Sequence, residues 1–147
     1  MKKTYRMMIF TVASLFSIIT SVKGNVVPWV TAPPTSWDVQ DTAQLPRLSN
    51  SATVETVLDS LTRYFQPQYI EAQRYMINVI KGGGEAPTFI MLNIITDGEM
   101  DDSVRGIWRQ ITLENHQGWV AQDYRVAYRC WRGTIASQEN YAQMRCN

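Results

Sequence analysis

Phe89-Ile90-Met91-Leu92-Asn93-Ile94-Ile95 is the stretch that decides the fold. In an extended chain, successive side chains point to opposite faces. Phe89, Met91 and Ile95 therefore line one face, and Ile90, Leu92 and Ile94 the other. A strand that is apolar on both faces belongs in the middle of a sheet with cover on both sides. A single helix covers only one of them. The other requires the arm formed by residues 25–50, with Trp29, Val30 and Trp37, or else a partner or a second copy.

Reading toward the C-terminus, Asp97-Gly98 opens a turn. Residues 103–114 alternate as a strand, with Ile107, Ile111 and Leu113 on one face and Val104 and Trp108 on the other. Gln117-Gly118 turns the chain again. Residues 119–131 show the cleanest alternation. Val120, Tyr124, Val126, Tyr128 and Cys130 oppose Asp123, Arg125, Arg129 and Trp131. A polar tail starts at Gly133.

Reading toward the N-terminus, Pro87 and Gly82-Gly83-Gly84 break the chain. Residues 69–80 fit a strand through Tyr75, Ile77 and Val79. They also fit a helix through Tyr69, Ala72, Met76, Val79 and Ile80; the strand is preferred because strands follow. Residues 52–65 predict the main helix. Val54, Val57, Leu58, Leu61, Tyr64 and Phe65 share one face, Ser51 is placed to cap its start, and Pro67 marks its end. Residues 25–50 hold Pro28, Pro33, Pro34 and Pro46 with Trp29 and Trp37 between them. This composition predicts an extended arm that packs on the domain or on a partner, with a short strand beginning at Val39.

The expected fold class is α+β. One main helix packs on an antiparallel three- to four-stranded meander, with an extended N-terminal arm and a disulfide-pinned C-terminal tail. In outline this resembles cystatin-like rolls, in which a sheet wraps a helix. The Gln-x-Val-x-Gly loop of the inhibitors is absent, and the corresponding turn reads Lys81-Gly82-Gly83-Gly84-Glu85. The resemblance is one of architecture and implies no protease inhibition.

Residues 1–24 read as a cleavable signal peptide. Lys2, Lys3 and Arg6 precede an uncharged, mostly apolar stretch at 7–22, which is short for a bilayer span. Val22-Lys23-Gly24 favours cleavage before Asn25, with cleavage after Ser21 as the alternative. The expected domains are the signal at 1–24, the arm at 25–50 and a single α+β domain at 51–147. The short basic start suits a bacterium. It places the protein in the periplasm, with secretion as the alternative and no stable membrane anchor after cleavage. Cys130 and Cys146 are the only cysteines. In an exported chain an even pair reads as one disulfide.

Cleavage removes Lys2, Lys3, Arg6 and Lys23, so the 14 basic residues fall to 10 against 13 acidic ones, a net of −3. Nucleic acids and anionic membranes reward excess positive charge, so neither is an expected partner.

Recognisable catalytic kits are missing. The glycine run lacks the following Lys-Ser or Lys-Thr of a phosphate loop and reads as a hairpin connection. Asp97, Glu99 and Asp101 alternate in an acidic loop. They lack the later glycine and bidentate glutamate of a calcium loop, and a solvated turn accounts for them. His116 is the only histidine, which rules out multi-histidine zinc sites and leaves a serine triad without local signature. No catalytic residue, metal site or cofactor is expected.

Arg125 and Arg129 share a strand face with Trp131, and Arg105 and Arg109 lie on the neighbouring strand. Arginine and tryptophan are enriched at binding hot spots, which makes these five residues the expected partner surface. The function expected is that of an exported, non-enzymatic accessory or regulatory protein of the bacterial envelope. It acts on an envelope protein, for example by modulating an inner-membrane signalling or secretion system. A small-ligand binder with a pocket lined by Tyr64, Phe65, Tyr124 and Tyr128 is the alternative. A small hydrolase using the acidic loop comes third.

Overall fold

The computed structural model describes residues 32–143 and 146. The expected signal peptide at 1–24 and the Trp29-Val30 part of the expected arm lie outside the described residues. The chain runs β1 (Asp38–Val39), a 3₁₀ turn (Thr42–Gln44), α1 (Val54–Tyr69), β2 (Arg74–Gly82), β3 (Phe89–Asp97), β4 (Val104–Asn115), β5 (Trp119–Cys130) and α2 (Ile135–Glu139). The strands form one antiparallel sheet in the order β1-β5-β4-β3-β2. The expected α+β class is correct. The meander has four strands, and the short strand at Val39 adds a fifth beside β5.

The apolar run at 89–95 occupies the inner strand β3, as its two-faced pattern requires. On one face, Ile90, Leu92 and Ile94 pack with Ile111 and Leu113 of β4 and Tyr124 and Val126 of β5. Val57, Leu61 and Phe65 of α1 close that core. On the other face, Ile95 and Ala127 are covered by Tyr141 from the tail, with Trp37 and Trp108 packed against them. Trp37 stands edge-on to Trp108 with ring centroids 6.0 Å apart. The arm thus supplies part of the second layer, and the tail supplies the rest. Burying one such side chain contributes roughly 1.5–3 kcal/mol, so both layers matter to a domain of this size.

Four local expectations need correction. α1 starts two residues later than expected, because the Thr53 hydroxyl, and not Ser51, accepts from the Thr56 N–H. It also runs through Pro67. The missing N–H there costs only one bond in an exposed last turn, and Ile70 N–H still donates to Gln66 O at 3.1 Å. Val120 points to solvent and Trp119 inward, because β5 slips register between the Thr112–Asp123 and Leu113–Ala121 pairs. A β-bulge there reverses the alternation. The tail is more than polar: Thr134 caps α2, and buried Tyr141 precedes a bridge from Ala142 to Tyr128. Of the residues at 69–80, those from 74 onward resolve as strand, in β2, which pairs with β3 along its whole length, while Tyr69 still belongs to α1 and 70–73 form the turn between them.

Cys130 and Cys146 are bonded, with their Cα atoms 5.4 Å apart. Among the described residues no helix is long and apolar enough to cross a membrane. The disulfide is compatible with an extracytoplasmic protein.

Candidate partner-binding surface

The sequence places Asp97 at the end of an otherwise apolar strand, on the face away from α1. Its side chain is only 2% exposed, and an ionised group so buried needs cationic partners. Three arginines supply them. Arg74 lies directly across the β2–β3 pairing and its Nη2 meets Asp97 Oδ2. Arg129 Nη2 reaches Oδ1 at 2.8 Å from β5. Arg105 Nε reaches the same oxygen at 3.2 Å.

A second irregularity brings Arg105 there. Val104 pairs with Cys130 and Gly106 with Arg129, so Arg105 is the extra residue of a bulge. Its carbonyl accepts from Gly98 N at 2.7 Å and Glu99 N at 3.0 Å, which ties the β3–β4 turn to the bulge. Asp101 finishes that turn by accepting from Ser103 N, Ser103 Oγ and Val104 N at 2.7–2.9 Å. These hydrogen bonds, the one from Val104 first, hold its carboxyl below the ordinary aspartate value.

Tyr141 lids the cluster. Its hydroxyl donates to Thr96 O at 2.7 Å, and its ring lies 5.5 Å from the Arg129 guanidinium. Burial pushes the Tyr141 hydroxyl pKa well above the ordinary 10.0. At the outer edge, Arg105 stacks on Trp131 at 5.2 Å. Trp131 is 41% exposed, and its backbone N–H donates to Ser103 O at 2.9 Å. It directly follows Cys130, so the disulfide holds the strand end that presents the ring. The surface is an ordered tryptophan–arginine pair rimmed by exposed Arg132 and by the acidic turn at Asp101 and Asp102.

Of the five arginine and tryptophan residues expected to form one surface, Arg105, Arg129 and Trp131 come together. Arg129 is buried behind Tyr141 and supports Asp97. Arg125 sits further back along β5, with Nε 2.5 Å from Asp123 Oδ2. Arg109 projects to the α1 side. It is buried there with its guanidinium 5.7 Å from the Phe65 ring and near Tyr124, and its Nη1 has no hydrogen-bond partner among the described residues. Arg74, Asp97 and Tyr141 complete the cluster and lie outside the five expected residues. An aspartate ending a strand apolar on both faces was the available signal for Asp97. Nothing in the spacing of Arg74 or Tyr141 pointed to it.

The pocket expected between Tyr64, Phe65, Tyr124 and Tyr128 is packed: Phe65 and Tyr124 meet with ring centroids 5.9 Å apart. A cavity of about 430 Å³ lies elsewhere, where Leu45, Pro46 and Leu48 face Leu61, Leu113 and Trp119. His116 is exposed and pairs with Glu114 at 2.8 Å. Among the described residues no three His, Cys, Asp or Glu side chains gather as metal ligands. The chain matches no family model, no curated protein and no solved structure.

Proposed function

We propose that this protein is an exported, non-enzymatic accessory protein of the bacterial envelope, working in the periplasm by binding another protein through Trp131 and Arg105. The observation that carries the reading is the exposed Trp131 ring, stacked on Arg105 and anchored beside the Cys130–Cys146 bond. An aromatic surface held in one geometry loses little conformational entropy on binding, and tryptophan and arginine dominate hot spots. The basic and then apolar start of the chain, followed by Val22-Lys23-Gly24, supports export.

Capture from envelope extract with residues 25–147, alongside Trp131→Ala and Arg105→Ala, tests this. The expected result is one protein retained by the parent domain and lost by both variants, each of which keeps the parent circular dichroism. A partner held equally by all three assigns binding to another surface. A small-ligand reading has one observation in its favour, the cavity lined by Leu45, Leu61 and Trp119. A small molecule that co-purifies, and is released by Ala43→Trp at the exposed rim of that cavity, would select it.

A further inference from the structure

β2 is an edge strand without the usual protection. Its nine residues pair with β3 without a register shift, contain no proline and carry charge only near the two ends, at Arg74 and Lys81. Its large side chains stand in solvent on both faces: Tyr75 is 53% exposed and Ile80 51%, with Met76 and Ile77 also open. The opposite edge of the sheet is a two-residue strand, β1. Long apolar edges are pairing templates, and proteins normally blunt them with charges, prolines or bulges. Alternate residues of β2 direct their N–H and C=O groups away from β3, ready for another strand.

The order of side chains indicates which strand. Asn78 is the centre of β2, flanked first by Ile77 and Val79, then by Met76 and Ile80, then by Tyr75 and Lys81. We infer that β2 pairs antiparallel with β2 of a second copy about a twofold axis at Asn78, joining two sheets into one. Ile77 then faces the second copy's Val79, and Met76 faces its Ile80. Lys81 meets the ring of its Tyr75, a cation–aromatic contact instead of a second cation. Asn78 meets its own copy, amide to amide. Moving the centre to Ile77 sets Asn78 against Met76 and Arg74 against Ile80. Moving it to Val79 sets Asn78 against Ile80 and Lys81 against Ile77. Each of these registers closes as an isologous pair, but of the three only the one centred on Asn78 sets Ile77, Val79, Met76 and Ile80 each against an apolar residue. This inference is independent of the Trp131 surface, which lies at the far end of β5.

The test is sedimentation of the oxidised mature protein over a dilution series, with two kinds of variant. The parent protein should run as a dimer that dissociates on dilution. Met76→Lys with Ile80→Lys sets lysines opposite each other across the axis. This variant should keep the parent circular dichroism and run as a monomer, because both positions are solvent-exposed in the single chain. Asn78→Cys should be joined to its copy by a short thiol cross-linker, while Gln122→Cys on β5 should not. A parent protein that stays monomeric at every concentration overturns the inference. So does a dimer that survives the double lysine variant, or a dimer in which Asn78→Cys fails to cross-link. Loss of partner capture by Trp131→Ala bears on the other surface and leaves this result unaffected.

Discussion

Gly106 is what lets Tyr141 reach the sheet. A Cβ at position 106 would lie 2.9 Å from the Tyr141 hydroxyl and 2.4 Å from Thr96 O, the atom to which that hydroxyl donates. The backbone oxygen cannot retreat without breaking β3. Gly106→Ala should therefore destabilise the domain by about 3 kcal/mol, through overpacking and loss of the tyrosine hydrogen bond. Urea denaturation checks it; a loss below about 1 kcal/mol, within the range of ordinary substitutions, would show that the layer under Tyr141 is loose.

Asp97 neutralises Arg129, whose side chain is almost as buried as its own. Asp97→Ala leaves that guanidinium without its ion pair in a site closed by Tyr141. The expected cost is about 3–5 kcal/mol, the range for breaking one side of a buried pair. Removing Arg74, whose side chain is half exposed, should cost far less. Equal effects of Asp97→Ala and Arg74→Ala in thermal melts would contradict this ranking.

Tyr141 gives stability an alkaline limit. Burial raises its pKa above the ordinary 10.0, so the folded state holds the proton more tightly than the unfolded chain. Its contribution is fully present below about pH 10 and declines as pH rises toward the folded-state value, with a slope approaching 1.4 kcal/mol per pH unit. Tyr141→Phe should lower stability at neutral pH by about 1 kcal/mol for the lost hydrogen bond and flatten the alkaline slope. Parallel pH–stability curves for parent and variant would sink the assignment.

Reduction of Cys130–Cys146 should act on both stability and binding. The bond closes a separation of 16 residues, worth about 3 kcal/mol in the chain-entropy account. Alkylation without reductant should label neither cysteine in freshly isolated protein. The double serine variant should melt lower and, because Trp131 adjoins Cys130, bind the captured partner less well than its residual folded fraction predicts.

The proposed export predicts a mature chain beginning near Asn25. Intact-mass measurement of protein recovered from the envelope should give residues 25–147 with two hydrogens lost to the disulfide. A dominant species that retains residues 1–24 would refute cleavage.

Periodicity alone determined the main helix, the inner position of β3 and the demand for cover on both of its faces. The alternation of β4 and most of β5 was equally legible, as was the pairing of two cysteines. These features follow from sterics and burial within a few neighbouring residues, which is the range over which a pattern can be read. The tertiary structure decided everything that depends on register. Two bulges, at Arg105 and near Gln122, turned Val120 outward and swung Arg105 onto Asp97, while Arg109, four residues along the same strand, went beneath α1. A bulge adds one residue opposite none, and whether it forms depends on what the neighbouring strands and the tail require, as with the Gly98 and Glu99 N–H groups that hold the Arg105 carbonyl. Arg74, Asp97, Arg129 and Tyr141 are far apart in the chain. Their meeting is set by strand order and by a tail that returns across the sheet, and no local spacing encodes either.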